Sequence, residues 1–189
     1  MLTLNRIRAA FPLLPLLLCL AGPLAAQTVI LVRHAEKAQV AGNDPPLSEA
    51  GTARAEALQV ALQHANVRHV VVTSRQRTTL TAADVIAARH LTPVVIPYGD
   101  GESAQVVAVA AAVRRVPKGD AVLVVGHSNT VPRIIAALGG PKLPDLCDAS
   151  YSTIFVLELG SSPPRLVRAH YGAPDPPGSD SCTTDMETH

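Results

Sequence analysis

Thr28-Val29-Ile30-Leu31-Val32 runs directly into Arg33-His34-Ala35-Glu36-Lys37, five mostly apolar, β-branched-rich residues followed by a charged turn. A short run apolar at consecutive positions predicts a strand buried on both faces, as in a parallel sheet. Working outward, the same unit recurs. Ser48 can cap a helix over residues 49–64, whose Ala53, Ala57, Leu58, Ala61 and Leu62 recur at helical spacing. Residues 69–73 read as a second strand and 79–89 as a second helix. A Pro-bounded strand over 93–97 and an Ala/Val-rich helix over 105–116 follow. Pro117-Lys118-Gly119-Asp120 turns the chain into a strand over 121–125, and a helix over 131–138 accepts Pro132 in its first turn. Residues 151–159 and 165–170 read as a closing hairpin or edge strands. Strands alternating with helices predict an α/β fold, a three-layer helix–sheet–helix sandwich on a mostly parallel sheet.

Composition narrows what such a fold does. The 189 residues suit one domain, and 48% hydrophobic against 16% charged residues predicts an ordinary packed core. A formal charge of +1, no Trp and only 3% aromatics exclude a basic nucleic-acid stripe or a base-stacking platform. Arg6 and Arg8, the apolar stretch 9–20 and the small residues Ala25 and Ala26 have the layout of a signal peptide over residues 1–26. Cleavage after Ala26 would release a secreted or periplasmic protein with no stable membrane insertion. The catalytic domain is expected over 27–178 and a polar tail over 179–189. Cys147 and Cys182, the two cysteines left after cleavage, are expected to pair in an oxidising compartment. The residues give no reading of oligomeric state.

Ligands of open α/β sheets bind beyond the carboxyl ends of the strands. There the first strand offers Arg33-His34-Ala35-Glu36-Lys37, the second Thr73-Ser74-Arg75-Gln76-Arg77-Thr78, and the fourth Gly126-His127-Ser128-Asn129-Thr130 at the start of a helix. Guanidinium forks match phosphate oxygens, and backbone N–H groups at a helix start favour anions. An imidazole kept neutral by nearby cations is a nucleophile toward phosphorus. The three strand ends together read as a phosphate pocket containing a nucleophile. His34 and His127 lack a carboxylate or Cys spacing suited to zinc, so no metal and no cofactor are expected. The expected partner is a small phosphorylated substrate or inorganic phosphate, not nucleic acid.

These residues resemble the histidine phosphatase superfamily, also called the phosphoglycerate mutase-like fold. Arg33-His34-Ala35-Glu36-Lys37 is similar to its Arg-His-Gly/Ala signature, and Pro46-Leu47-Ser48-Glu49-x-Gly51-x-x-Arg54-Ala55 to the segment after it. Arg77-Thr78-x-x-Thr81-Ala82 resembles its second-arginine motif and Gly126-His127-Ser128-Asn129-Thr130 its second-histidine motif. The set is similar to a short, often exported bacterial branch. The resemblance implies a metal-independent phosphomonoesterase of histidine acid phosphatase type. His34 would carry the phosphoryl group, and Arg33, Arg77 and His127 would hold its oxygens. Thr73 stands where the family commonly has Ser. Ser128 leaves no acid beside His127, so Glu102 is the expected general acid, with Asp100 and Glu36 as alternatives. Asn129, Thr130 and Lys37 are candidate substrate contacts, the first two also candidate helix caps. Arg75 is a weaker phosphate candidate, and Arg54 sits on the helix surface or anchors a loop. Two rival readings stay open: a non-catalytic phosphate- or phosphosugar-binding protein on this fold, and a phosphoglycerate mutase-type phosphotransferase.

Overall fold

The computed structural model describes residues 26–99 and 101–179. The expected signal peptide (Ala26 apart), the alternative acid Asp100, the tail from residue 180 onward and Cys182 lie outside the described residues. Six strands form one sheet: β1 (Thr28–Arg33), β2 (Val67–Thr73), β3 (Val94–Ile96), β4 (Ala121–Gly126), β5 (Thr153–Glu158) and β6 (Arg165–His170). Their order is β3-β2-β4-β1-β5-β6. The first four strands are mutually parallel, while β5 runs antiparallel to β1 and β6 antiparallel to β5. The expected hairpin thus closes one edge of the sheet.

Four helices cover the two faces: α1 (Glu49–Ala61), α2 (Gln76–Arg89), α3 (Glu102–Arg114) and α4 (Thr130–Ala137). The pleat sends alternate side chains to opposite faces. Val29 and Leu31 of β1 and Val122 and Val124 of β4 pack with Val109, Val113, Ile134 and Ile135 of α3 and α4. Ile30, Val32, Leu123 and Val125 pack on the other side with Leu58 of α1 and Val85 of α2. The strands are apolar at consecutive positions because both faces are covered. No helix among the described residues is long and apolar enough to cross a membrane.

Helix ends differ from the sequence expectation where the cap is distant in sequence. α1 starts as expected, Ser48 Oγ accepting from Gly51 N at 3.1 Å, but ends three residues early in a turn closed by Ala65 N donating to Leu62 O. α2 begins at Gln76 instead of 79, because the Asp44 carboxylate accepts from Gln76 N at 3.1 and 3.2 Å. α3 begins at Glu102 instead of 105, with Gly101 ahead of it at φ +85°, a conformation that favours glycine.

β1 and β4 are neighbours in register, Arg33 beside Gly126, yet their connections leave to opposite faces: β1 leads to α1 and β4 to α4. A crevice opens where adjacent connections diverge in this way. The two histidine motifs meet at its mouth.

Candidate active site

His34 N donates to Gly126 O at 2.9 Å, extending the β1–β4 ladder by one bond and setting His34 beside His127. The two imidazoles meet edge to face with centroids 5.3 Å apart. His34 Nδ1 lies 2.8 Å from Ala35 O. A carbonyl can only accept, so Nδ1 carries the proton and Nε2 keeps its lone pair. Burial pushes the His34 pKa down to about 3, and His127, Arg33 and Arg77 push the same way. Burial, then Arg77, Arg75 and Arg33, brings His127 down to about 4. Both rings are therefore neutral at physiological pH, and His34 presents an unprotonated nitrogen.

Arg33 is buried and held by the loop before β5. Its Nη1 donates to the carbonyls of Cys147 at 2.8 Å, Asp148 at 3.0 Å and Ser150 at 3.2 Å. Its Nη2 donates to Tyr151 Oη at 3.3 Å, and the guanidinium lies 4.1 Å from that ring's centroid. Arg33 Nε, like Arg77 Nε, is buried without a hydrogen-bond partner among the described residues. A buried guanidinium donor left unpaired is costly, so both arginines are set to be satisfied by an anion. Arg77 stands in the first turn of α2, with Nη1 3.6 Å from Asp44 Oδ1. Thr73 Oγ1 sits 3.2 Å from His127 Nε2 and 3.1 Å from Thr78 Oγ1, so the hydroxyl in the family's serine position touches the second histidine.

Arg33, His34, Lys37, Arg77, His127, Ser128 and Asn129 line one cavity of about 490 Å³, walled on one side by residues of the 37–45 loop. All of these but Ser128, six in number, are candidate site residues named from the sequence and are thus brought together, with Lys37 at an exposed position. Thr130 is not among the lining residues: it is buried, and its Oγ1 accepts from His127 N at 2.9 Å, a local cap that fixes the histidine. Asn129 supplies no side-chain cap. Its Nδ2 donates to Glu102 Oε2 at 2.7 Å. Arg75 lies over the Tyr98 ring, 4.4 Å from its centroid, and is not in the lining.

The acids depart furthest from expectation. Glu36 is turned away from the cavity and bound by Arg54, whose Nε donates to both its oxygens at 2.9 Å and whose Nη2 donates at 2.7 Å. Arg54 is buried, not on the surface, and anchors the C-terminal segment through Tyr171 O and Ala173 O. Burial works against its charge, but Glu36 more than offsets this and its pKa is raised. Glu102 lines a smaller neighbouring cavity with Tyr98 and Gln105, its carboxylate held by Asn129 and paired with Arg133. Three site residues were not picked out in the sequence: Tyr98, edge-on to His127; Tyr151, beneath Arg33; and Asp148, an acidic residue in the lining of the His34 cavity. Among the described residues no three His, Cys, Asp or Glu side chains gather as a metal site.

Residues 29–98 match the model of the histidine phosphatase superfamily (branch 1). The match ends before Gly126-His127, which the fold itself delivers to the same cavity. No curated protein matches the chain. A Nakamurella multipartitia structure bearing the name of the phosphohistidine phosphatase SixA is 26% identical, with a TM-score of 0.53, covering 78% of this chain and 98% of its own. An Escherichia coli structure assigned as an alpha-ribazole-5'-P phosphatase has a TM-score of 0.60 at 17% identity, covering 78% and 97%. A mycobacterial glucosyl-3-phosphoglycerate phosphatase complexed with inorganic phosphate has a TM-score of 0.55 at 18% identity, covering 77% and 97%. The phosphoglycerate mutase-like fold expected from the motifs is the fold of the chain.

Proposed function

We propose that this chain, with the superfamily's fold and its motifs in one cavity, is a phosphatase that hydrolyses phosphomonoesters through a phosphohistidine on His34. The observation that carries the reading is the tautomer. His34 Nδ1 is committed to Ala35 O, so Nε2 keeps its lone pair in a cavity also lined by Arg33 and Arg77, whose Nε donors are unpaired among the described residues. Nε2 attacks phosphorus while Arg33, Arg77 and His127 take the non-bridging oxygens. Preorganised donors aimed at developing charge supply most of the acceleration in such reactions. The P–O bond to the leaving group breaks, water then attacks phospho-His34, and phosphate departs. The complex of a fold relative with inorganic phosphate supports the same ligand here.

The test is hydrolysis of an aryl phosphate by the wild type and by His34→Ala, with a chelator present, beside inorganic phosphate binding by calorimetry. Turnover lost in the variant with phosphate still bound is the expected result. Turnover by His34→Ala would refute the covalent step. Phosphate binding by a wild type that turns over no phosphomonoester would support the non-catalytic binding protein instead.

Export and the disulfide belong to the same proposal. Cleavage after Ala26 is checked by the N-terminal sequence of protein recovered from the periplasm or medium. A Cys147–Cys182 bridge would tie the tail to the loop that holds Arg33, and its mass signature in the non-reduced tryptic digest is the check.

A further inference from the structure

The loop that clamps Arg33 does a second thing. Asp148 gives its main-chain carbonyl to Arg33 Nη1, is itself a lining residue of the cavity that holds His34 and His127, and its carboxylate favours the charged form of Arg33. The loop is fastened on both sides: Leu146 N donates to Ser128 O at 2.9 Å, and Asp175 Oδ1 accepts from Tyr151 N at 2.9 Å. The backbone of Asp148 is thus pinned to the arginine expected to hold phosphate, and its carboxyl group is carried on a fixed segment in the wall of the His34 cavity. The other acids have different work. Glu36 is bound by Arg54, Asp44 accepts from the first turn of α2, and Glu102 is held by Asn129 and Arg133 outside this lining. Among the described residues, Asp148 is the carboxylate that lines the His34 cavity.

We propose that Asp148 is the general acid, protonating the leaving oxygen of the phosphomonoester. The proposal rests on the phosphatase reading above and fills the role for which sequence favoured Glu102. In the first step, the His34 Nε2 lone pair forms the N–P bond. The P–O bond breaks, its electron pair goes to the leaving oxygen, and that oxygen takes the carboxylic proton of Asp148. In the second step, the Asp148 carboxylate takes a proton from water as the water oxygen attacks phosphorus. The N–P bond breaks, its pair returns to Nε2, and phosphate leaves with Asp148 protonated again. Atoms and charge balance over the cycle without a further reactant.

A proton donor matters most when the leaving group is a poor one, so the experiment compares leaving groups. Wild type, Asp148→Asn, Asp148→Glu and Glu102→Gln are assayed on 4-nitrophenyl, phenyl and benzyl phosphate, with folding followed by circular dichroism and inorganic phosphate binding measured for each. Asp148→Asn keeps the main-chain carbonyl on Arg33, so its fold and phosphate binding are expected to persist. Its kcat should fall about 10²–10³-fold on benzyl phosphate and far less on 4-nitrophenyl phosphate, the range typical of a lost general acid. Asp148→Glu should recover part of the benzyl rate, and Glu102→Gln should show no such leaving-group dependence. Equal losses of Asp148→Asn across the three substrates, or the leaving-group dependence appearing in Glu102→Gln instead, would overturn the assignment. A wild type inactive on all three would overturn the phosphatase reading itself, an outcome distinguishable from the others.

Discussion

Arg54→Met tests whether the ion network beside the His34 strand end supports the fold. Arg54 has 5% of its side chain exposed, against 22% for Glu36 and 7% for Asp175, whose Oδ1 is 3.8 Å from Arg54 Nη2. Removing the cation leaves two carboxylates without their counter-charge, together with the Tyr171 and Ala173 carbonyls without a donor. Breaking a buried pair from one side costs about 3–5 kcal/mol. Glu36 can recover some hydration, and Asp175 keeps Ser152 Oγ at 2.7 Å, so the lower end, about 3 kcal/mol, is expected. In a domain of this size that lowers Tm by roughly 6–12 °C. Urea unfolding followed by circular dichroism measures it, with an unchanged m-value showing that the denatured state is comparable. A loss below about 1 kcal/mol would place the pair with ordinary surface bridges and refute the reasoning. Adding Glu36→Gln to Arg54→Met should return part of the loss, because the stranded charge is gone.

Gly51→Ala should damage both stability and turnover. A Cβ there would stand 2.1 Å from Glu36 O, a main-chain atom two residues past His34, so the loop after His34 must shift. A cost of about 1–3 kcal/mol is expected from overpacking, and an unaltered midpoint and kcat would refute it. Thr73→Val removes the hydroxyl 3.2 Å from His127 Nε2 and should lower kcat while leaving KM for an aryl phosphate nearly unchanged. An effect on KM alone would contradict this. The histidines also set a pH dependence. Unfolded, each titrates near 6.5, whereas folded His127 and His34 titrate at about 4 and about 3. Between these limits the unfolded chain binds more protons, so stability from these groups is complete above about 6.5 and declines as pH falls toward 4 and 3. Denaturation midpoints at pH 7 and pH 5 check the sign. A midpoint higher at pH 5, not reproduced in a double His34→Ala, His127→Ala variant, would refute it.

Much of the fold was legible because both faces of the sheet are covered, which makes β1 and β4 apolar at consecutive positions that no amphipathic helix would show. The site was legible for a related reason. Arg33, His34, Arg77 and His127 each follow a strand that stops at the same end of the sheet, so chain order alone places them together. What failed depended on contacts far apart in sequence. The start of α2 is capped by Asp44 from another loop, and nothing local to residues 74–78 announces it. Glu36 looked available because it is two residues from His34, but its carboxylate is claimed by Arg54 on α1. Asp148 carried no signal at all, since the 139–152 loop has no period and its place is set by a bond from Arg33.

The same electrostatics that suit the cavity to an anion also govern the protonation of its histidines. Burial, with neighbouring cations, keeps His34 and His127 unprotonated, so the positive charge of the cavity comes from its arginines and not from the imidazoles. Arg33 spends its Nη1 on three carbonyls and part of its Nη2 on Tyr151, which fixes the plane of the guanidinium and leaves Nε unpaired. A phosphate dianion entering the cavity supplies the missing acceptor and opposes the cationic field at once. Its charge raises the basicity of the imidazoles, and their low starting pKa values leave room for that rise without protonation at neutral pH. A cavity with protonated histidines would bind phosphate as well or better, but it would hold no nucleophile. The burial that costs acid stability is therefore the feature that separates a catalytic arrangement of these residues from a merely anion-binding one.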